Sequence, residues 1–177
     1  MTIFISAGHY NESRGAHFED FYEYPETVYW ATQIVRELQN KNLKAEFAPV
    51  GSLSEKIHHI NHANPDVAVE IHFNADTKQA GKGSETLYCP GSSEGKKFAE
   101  LVQDELAELF EPSRGVKEGW YQLNPEKGPD RFLKYTACPA IIVEPEFVHH
   151  KRKIIDNRKE GCKAIARGIF RYVTRAS

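Results

Sequence analysis

The sequence predicts an α/β fold: one layered domain with a mostly parallel, twisted sheet and helices on both faces. Three observations predict it. Short apolar runs rich in β-branched residues alternate with amphipathic helical stretches along the whole chain, which is the pattern of a sheet built through helical crossovers. No repeat, low-complexity tract or Pro/Gly/Ser-rich linker divides the 177 residues, so residues 1–177 are expected to form one domain. A chain of this length buries roughly 70% of the surface its unfolded form exposes, enough for a core without covalent staples.

The elements follow in order. Ile3 to Ser6 reads as the first strand, a run of Ile, Phe and Ile. Pro25 to Asn40 reads as a helix, because Val28, Ala31, Ile34, Val35 and Leu38 share one face at three- and four-residue steps. Pro25 suits its first turn, where a missing N–H is harmless. Ala45 to Val50 is the next strand, and Leu53 to His62 a helix with Leu53, Ile57 and Ile60 on its buried side. Val67 to Phe73 and Glu85 to Cys89 read as strands, and Glu94 to Phe110 as a helix. The Gly-, Pro- and aromatic-rich stretch Val116 to Pro129 carries no regular pattern. Ala140 to Val143 is the last strand, and Ile154 to Val173 the closing helix.

Composition excludes several classes. Cys89, Cys138 and Cys162 are an odd number with no close pair, which argues against a disulfide framework and a cysteine zinc site, and for synthesis in a reducing compartment. No run approaches the ~18 apolar residues of a membrane span. The N-terminus lacks the basic and long apolar regions of an export signal. The formal net charge of −2 hides an asymmetry, since Lys151 to Ser177 carries nine Lys/Arg against two acids, +7, leaving −9 elsewhere. Such a basic segment is a solvated helix face or an attractor of anionic polymers.

Three strand candidates end in a residue that binds metal or moves a proton: His9, His72 and Glu144. Ligands of open α/β sheets collect at the carboxyl ends of strands, so these side chains can converge from distant positions. Two imidazoles, a carboxylate and a water form a common catalytic zinc set with one open position. The third ligand would come from the segment Asn11 to Glu26, which offers Glu12, Glu19, Asp20, Glu23 and Glu26, with His17 as a rival imidazole; spacing does not choose among them. Strand alternation puts Glu70 on the side of His72, as a hydrogen-bond partner of that ligand or a merely satisfied polar group. Glu146 is second choice for the carboxylate of Glu144. His58, His59 and His62 read as a solvated helix face, His149 and His150 as loop residues, and Cys138 as an inert thiol. Trp120 and Tyr121 either stack on a ligand or close the core.

Four segments in order resemble the zinc-dependent N-acetylmuramoyl-L-alanine amidases of the type-3 family. Ile5-Ser-Ala-Gly-His9 resembles the first-strand motif, and Glu23-Tyr-Pro-Glu-Thr-Val-Tyr-Trp-Ala31 the glutamate that leads a helix. Glu70-Ile-His-Phe-Asn-Ala75 resembles the His-x-Asn-Ala strand end, and Pro139-Ala-Ile-Ile-Val-Glu144-Pro-Glu-Phe147 the Glu-x-x-Phe end of the last strand. Thr27 and Glu146 depart from the residues common at those positions. The resemblance implies Zn2+ held by His9, Glu23 and His72, with Glu144 as the catalytic carboxylate; beside it, Glu70, Asn74, Trp120 and Tyr121 are the candidates for supporting or substrate-facing residues. It implies cleavage of the amide between N-acetylmuramic acid and the L-alanine of the peptidoglycan stem. The alternatives are a zinc peptidase cutting within the stem and a non-catalytic peptidoglycan-binding module. The further expectations are a phage endolysin-like enzyme with no separate wall-binding domain, made in the host cytoplasm without a signal peptide and acting on the wall after release. Its partners would be peptidoglycan and, through the basic C-terminal helix, anionic envelope polymers. No nucleic acid, membrane span or obligate protein partner is expected.

Overall fold

The computed structural model describes residues 1–119 and 131–175. Its main sheet has six strands: β1 (Thr2–Ala7), β4 (Lys44–Phe47), β5 (Val67–Ile71), β6 (Glu85–Tyr88), β7 (Val116–Glu118) and β8 (Ala140–Glu144), in the order β4-β1-β5-β8-β6-β7. Neighbours run parallel except β6 and β8, which are antiparallel with Glu85 opposite Glu144. The central strands β1, β5 and β8 are buried nearly throughout, as parallel strands covered on both faces must be. A separate two-stranded hairpin joins β2 (His17–Phe18) to β3 (Phe21–Tyr22).

One face of the sheet is covered by α1 (Glu23–Gln39), α3 (Ser93–Ala107) and α5 (Lys151–Thr174). Trp30, Ile34 and Leu38 of α1, Phe98 and Val102 of α3, and Ile165 and Ile169 of α5 enclose Ile3, Ile5, Val69, Ile71, Ile141 and Val143 in the larger core. The other face is covered by α2 (Leu53–Ala63) and the short α4 (Arg131–Tyr135). Their smaller core gathers Phe4, Ala68, Ala140 and Ile142 under Ile57, Ile60, Phe132 and Leu133. A capping box of Ser52 and Glu55 starts α2, and left-handed Asn64 (φ 47°) ends it. Toward the carboxyl ends of β1, β5 and β8 the apolar residues of this second face give way to Ser6, Glu70, His72 and Glu144, and a cleft opens there.

The expected fold class and all five strands and four helices are present, with changed limits. The strand expected at Ala45 to Val50 stops at Phe47, since Ala48 turns into the smaller core and Val50 is exposed. The strand expected at Val67 to Phe73 stops at Ile71, where the chain turns into the site. The hairpin, β7 and α4 are additional, and β7 falls at the start of the stretch Val116 to Pro129.

The basic helix α5 is largely neutralised within the fold. Lys151 pairs with Glu19 and Asp20, Lys153 with Glu146, Arg158 with Glu26, Arg167 and Arg171 with Glu105, and Arg175 with Glu94. Part of the +7 segment therefore meets opposite charge on α1, α3, the hairpin and Glu146 beyond β8.

Candidate active site

The carboxyl end of β1 delivers His9 through a bend in which His9 itself is left-handed (φ 63°). The preceding Gly8 is required by close approach, since a Cβ there would stand 2.6 Å from the His72 ring and 2.7 Å from the carbonyl of Ile71. Glu23 opens α1 and is buried. Its Oε1 accepts the Phe73 N–H (2.9 Å) and lies 3.0 Å from His72 Nδ1. Its Oε2 accepts the Ala16 N–H (2.7 Å) and lies 3.1 Å from His9 Nε2. Burial opposes ionisation of Glu23, but the hydrogen bonds and charges of His72 and His9 hold its carboxyl well below the usual range. Gly15 (φ 73°) lets the loop pass over this group, where a Cβ would lie 2.3 Å from the His9 ring.

His9, Glu23 and His72 each offer one ligand atom, all within 4.8 Å of one another. Ligands about 2.0 Å from a tetrahedral zinc stand roughly 3.3 Å apart, close to the contacts of 3.0 and 3.1 Å that Glu23 makes. Two imidazoles and a carboxylate, gathered within 4.8 Å of one another, are a donor set that fits Zn2+. Among the five acids and His17 that spacing left open, the fold brings Glu23 to the two imidazoles.

Behind His72 lies a buried charged relay. His72 Nε2 is 3.2 Å from Glu70 Oε2, and Glu70 Oε1 accepts from Ser6 Oγ (3.1 Å) and Lys56 Nζ (2.7 Å). Lys56 is only 4% exposed and also donates to the carbonyl of Ala7 (2.6 Å). Burial pushes the Glu70 carboxyl up, but His72 and Lys56 bring it down to about 2. Burial pushes His72 down, but Glu23 and Glu70 raise it well above the ordinary imidazole value. Glu70 thus holds one imidazole nitrogen while the other faces Glu23, an arrangement that fixes ring orientation and tautomer.

Glu144 ends β8 beside His72, whose N–H donates to the carbonyl of Val143 (2.9 Å). Both line a cleft of ≈ 580 Å³ together with His9 and Glu23. The farther wall of this cleft carries Glu85, Arg114 and Lys117. Asn74 lines it too, with its Nδ2 donating to Glu85 Oε1 (2.6 Å).

Glu146 is corrected as an alternative to Glu144. It is fully buried, accepts the N–H groups of Gly83 and Phe147, and pairs with Lys153, so it braces the loop and lies outside the cleft lining. Thr27 is buried and its hydroxyl reaches the carbonyls of Gly8 and Tyr24, tying α1 to the His9 loop. His58, His59 and His62 are exposed, and burial pushes the Cys138 thiol up to about 11, an unreactive value. Trp120 and Tyr121 lie outside the described residues.

Sequence reasoning missed Gly8, Gly15, Lys56, Glu85, Arg114 and Lys117. The two glycines offered a signal, since each adjoins a loop carrying candidate ligands. The cations offered none, because their partners are remote in sequence.

The N-acetylmuramoyl-L-alanine amidase family profile matches residues 3–174. The chain is 28% identical over 154 residues to the N-acetylmuramoyl-L-alanine amidase LytC of Bacillus subtilis (strain 168), covering 83% of this chain and 29% of that protein. It therefore spans less than a third of that relative's length. Its fold matches the crystal structure of an N-acetylmuramoyl-L-alanine amidase from Clostridium difficile 630 with a TM-score of 0.86 at 24% identity, over 99% of this chain and 98% of that one. The catalytic domain of CD27L endolysin targeting Clostridia difficile matches with a TM-score of 0.78 at 25% identity, over 96% and 97% of the two chains.

Proposed function

The chain belongs to the N-acetylmuramoyl-L-alanine amidase family, and from that premise we propose that it hydrolyses the amide joining the lactyl group of N-acetylmuramic acid to the L-alanine of the peptidoglycan stem. The observation that carries this reading is the presence of His9, Glu23, His72 and Glu144 in one cleft. His9, Glu23 and His72 would hold Zn2+, which supplies a Lewis acid for the scissile carbonyl and a lowered pKa for water. Glu70 and Lys56 keep the His72 ring oriented. Glu144 accepts the proton of the water that attacks the carbonyl carbon and returns it to the leaving nitrogen. The C–N bond breaks to give the lactyl carboxylate and the free amine of L-alanine. General acid–base work of this kind contributes roughly 10²- to 10⁴-fold.

Digestion of purified peptidoglycan with product mass spectrometry tests this. Glycan strands stripped of stems, and stems beginning in L-alanine, are expected from the wild type. Both are expected to disappear with a chelator and with Glu144→Gln. Cleavage within the stem would mark a zinc peptidase, and binding without turnover a non-catalytic module; either overturns the proposal. The likeness to an endolysin catalytic domain supports a lytic role with synthesis in the host cytoplasm and action on the wall after release. Its check is expression inside bacteria, where lysis is expected only once the membrane is permeabilised.

A further inference from the structure

The cleft extends beyond the four residues of the proposed chemistry. Its floor is the second face of the sheet, where Glu144 and Ile142 of β8, Glu85 and Leu87 of β6, and Lys117 of β7 lie side by side. Glu85 sits directly across from Glu144 and is 9% exposed at its side chain. Its Oε1 is taken by Asn74, while its Oε2 accepts from both Arg114 Nε (3.0 Å) and Lys117 Nζ. The Glu85 carboxylate thus faces two cations, on a wall where Arg114 and Lys117 are each about a third exposed. A single cation would satisfy Glu85, so the second is available for something else.

The geometry of Arg114 suits an anion. Its guanidinium lies 5.1 Å from the Phe147 ring centroid, so the ring holds it while Nε is committed to Glu85. Among the described residues its two Nη groups make no hydrogen bond, and that end of a guanidinium matches a carboxylate. The other carboxylates along the cleft's margin, Asp76 and Glu118, are turned to backbone donors, Asp76 to Lys78, Ala80 and Gly81 and Glu118 to Gly91. Two to three strand spacings separate His72 from this pair, roughly 10–14 Å, the length of about three to four residues of extended peptide.

We infer that Arg114 and Lys117 form a subsite for a free carboxylate of the stem peptide, about three to four residues beyond the scissile amide, with Glu85 and Asn74 as positioning residues beneath it. The inference rests on the amidase reading for the identity of the peptide. A hydrogen-bonded charge pair at this exposure corresponds to roughly 10- to 100-fold in affinity. The enzyme then discriminates stems with free carboxylates from those carrying carboxamides.

The test compares two muropeptides that differ only in carboxylate against carboxamide at the acidic residues of the stem, with zinc-loaded protein. A ratio of kcat/KM of at least tenfold in favour of the carboxylate is expected, expressed mainly in KM. In Arg114→Met/Lys117→Met the ratio is expected to fall toward one; Lys117→Gln alone serves if the double variant does not fold. A merely structural role would lower turnover of both muropeptides together and leave the ratio unmoved. Equal wild-type rates on the two, or an unchanged ratio in every folded variant, overturns the subsite. Calorimetry with the free stem peptides separates the two readings. Carboxylate-selective binding without cleavage keeps the subsite and removes the amidase, whereas cleavage at the lactyl amide without selectivity does the reverse.

Discussion

Lys56→Met removes the one lysine among the described residues that pairs with the buried Glu70, leaving His72 as its charged partner. The contact of 2.7 Å is lost, and so is the donor to the carbonyl of Ala7 at the mouth of the His9 bend. Taking one partner from a buried ion pair destabilises a protein by about 3–5 kcal/mol, because the remaining charge keeps its desolvation penalty. The Glu70 shift, in which burial is opposed first by His72 and then by Lys56, sets an upper bound on the same quantity. Its folded pKa, about 2 against 4.5, makes a contribution on the order of 3 kcal/mol that is present above the unfolded value and is lost as pH falls toward 2. The assay is urea unfolding of both proteins in chelator at pH 7, with the melting temperature expected to drop by roughly 10 °C. The gap between the two proteins should narrow in acid, where the Glu70 of the variant, deprived of Lys56, takes up a proton first. Adding Glu70→Gln should restore part of the loss, since it removes the stranded charge. A loss under about 1 kcal/mol at pH 7, or a double variant whose penalties simply add, would refute the reasoning.

Three other outcomes are expected. Gly15→Ala places a methyl group against His9 and Glu23 and strains a left-handed backbone by about 1–2 kcal/mol; zinc affinity measured against a competing chelator should fall at least tenfold, and an unchanged affinity would contradict the cradle. In the metal-free protein the raised pKa of His72 means its stabilising protonation is full below the unfolded value near 6.5 and lost as pH rises through the folded one. Zinc uptake at pH 7 should therefore release a proton, read by calorimetry in buffers of different ionisation enthalpy; zero release would contradict it. Arg167→Gln/Arg171→Gln breaks a half-exposed pairing with Glu105 and should cost about 1 kcal/mol or less. It should change activity on whole cells and on soluble fragments equally, and a selective loss on cells would instead assign the helix a recruiting role.

The sequence made some parts of this protein plain and others invisible, for reasons that lie in range. β1, β5 and β8 are covered on both faces, so each is a mostly apolar run, and His9, His72 and Glu144 stand out at or just beyond its end. The strands of two residues each at His17–Phe18 and Phe21–Tyr22 are too short to carry a period. Glu23 was one acid among five until the fold supplied the N–H groups of Ala16 and Phe73; in sequence only the family resemblance distinguished it. Lys56 sits beside Ile57 on an amphipathic helix, where a lysine ordinarily faces water. Its burial depends on Glu70, a partner reached only across the fold. The same distance hid the neutralisation of α5, whose cations find acids on α1, α3 and the hairpin.

The reversed direction of β6 has a further effect. Since β6 runs against β8, the chain leaves the site at the end of β5 and re-enters it at the start of β6. Both feet of the intervening segment, 75–83, are anchored: Asn74 bridges to Phe147, and the Gly83 N–H is held by Glu146. Doubling the length of such a segment adds only about 0.6 kcal/mol of closure entropy. Evolution or an engineer can thus exchange that arch for a longer or differently charged one while His9, Glu23 and His72 stay in place, so the cleft's margin can change independently of its centre.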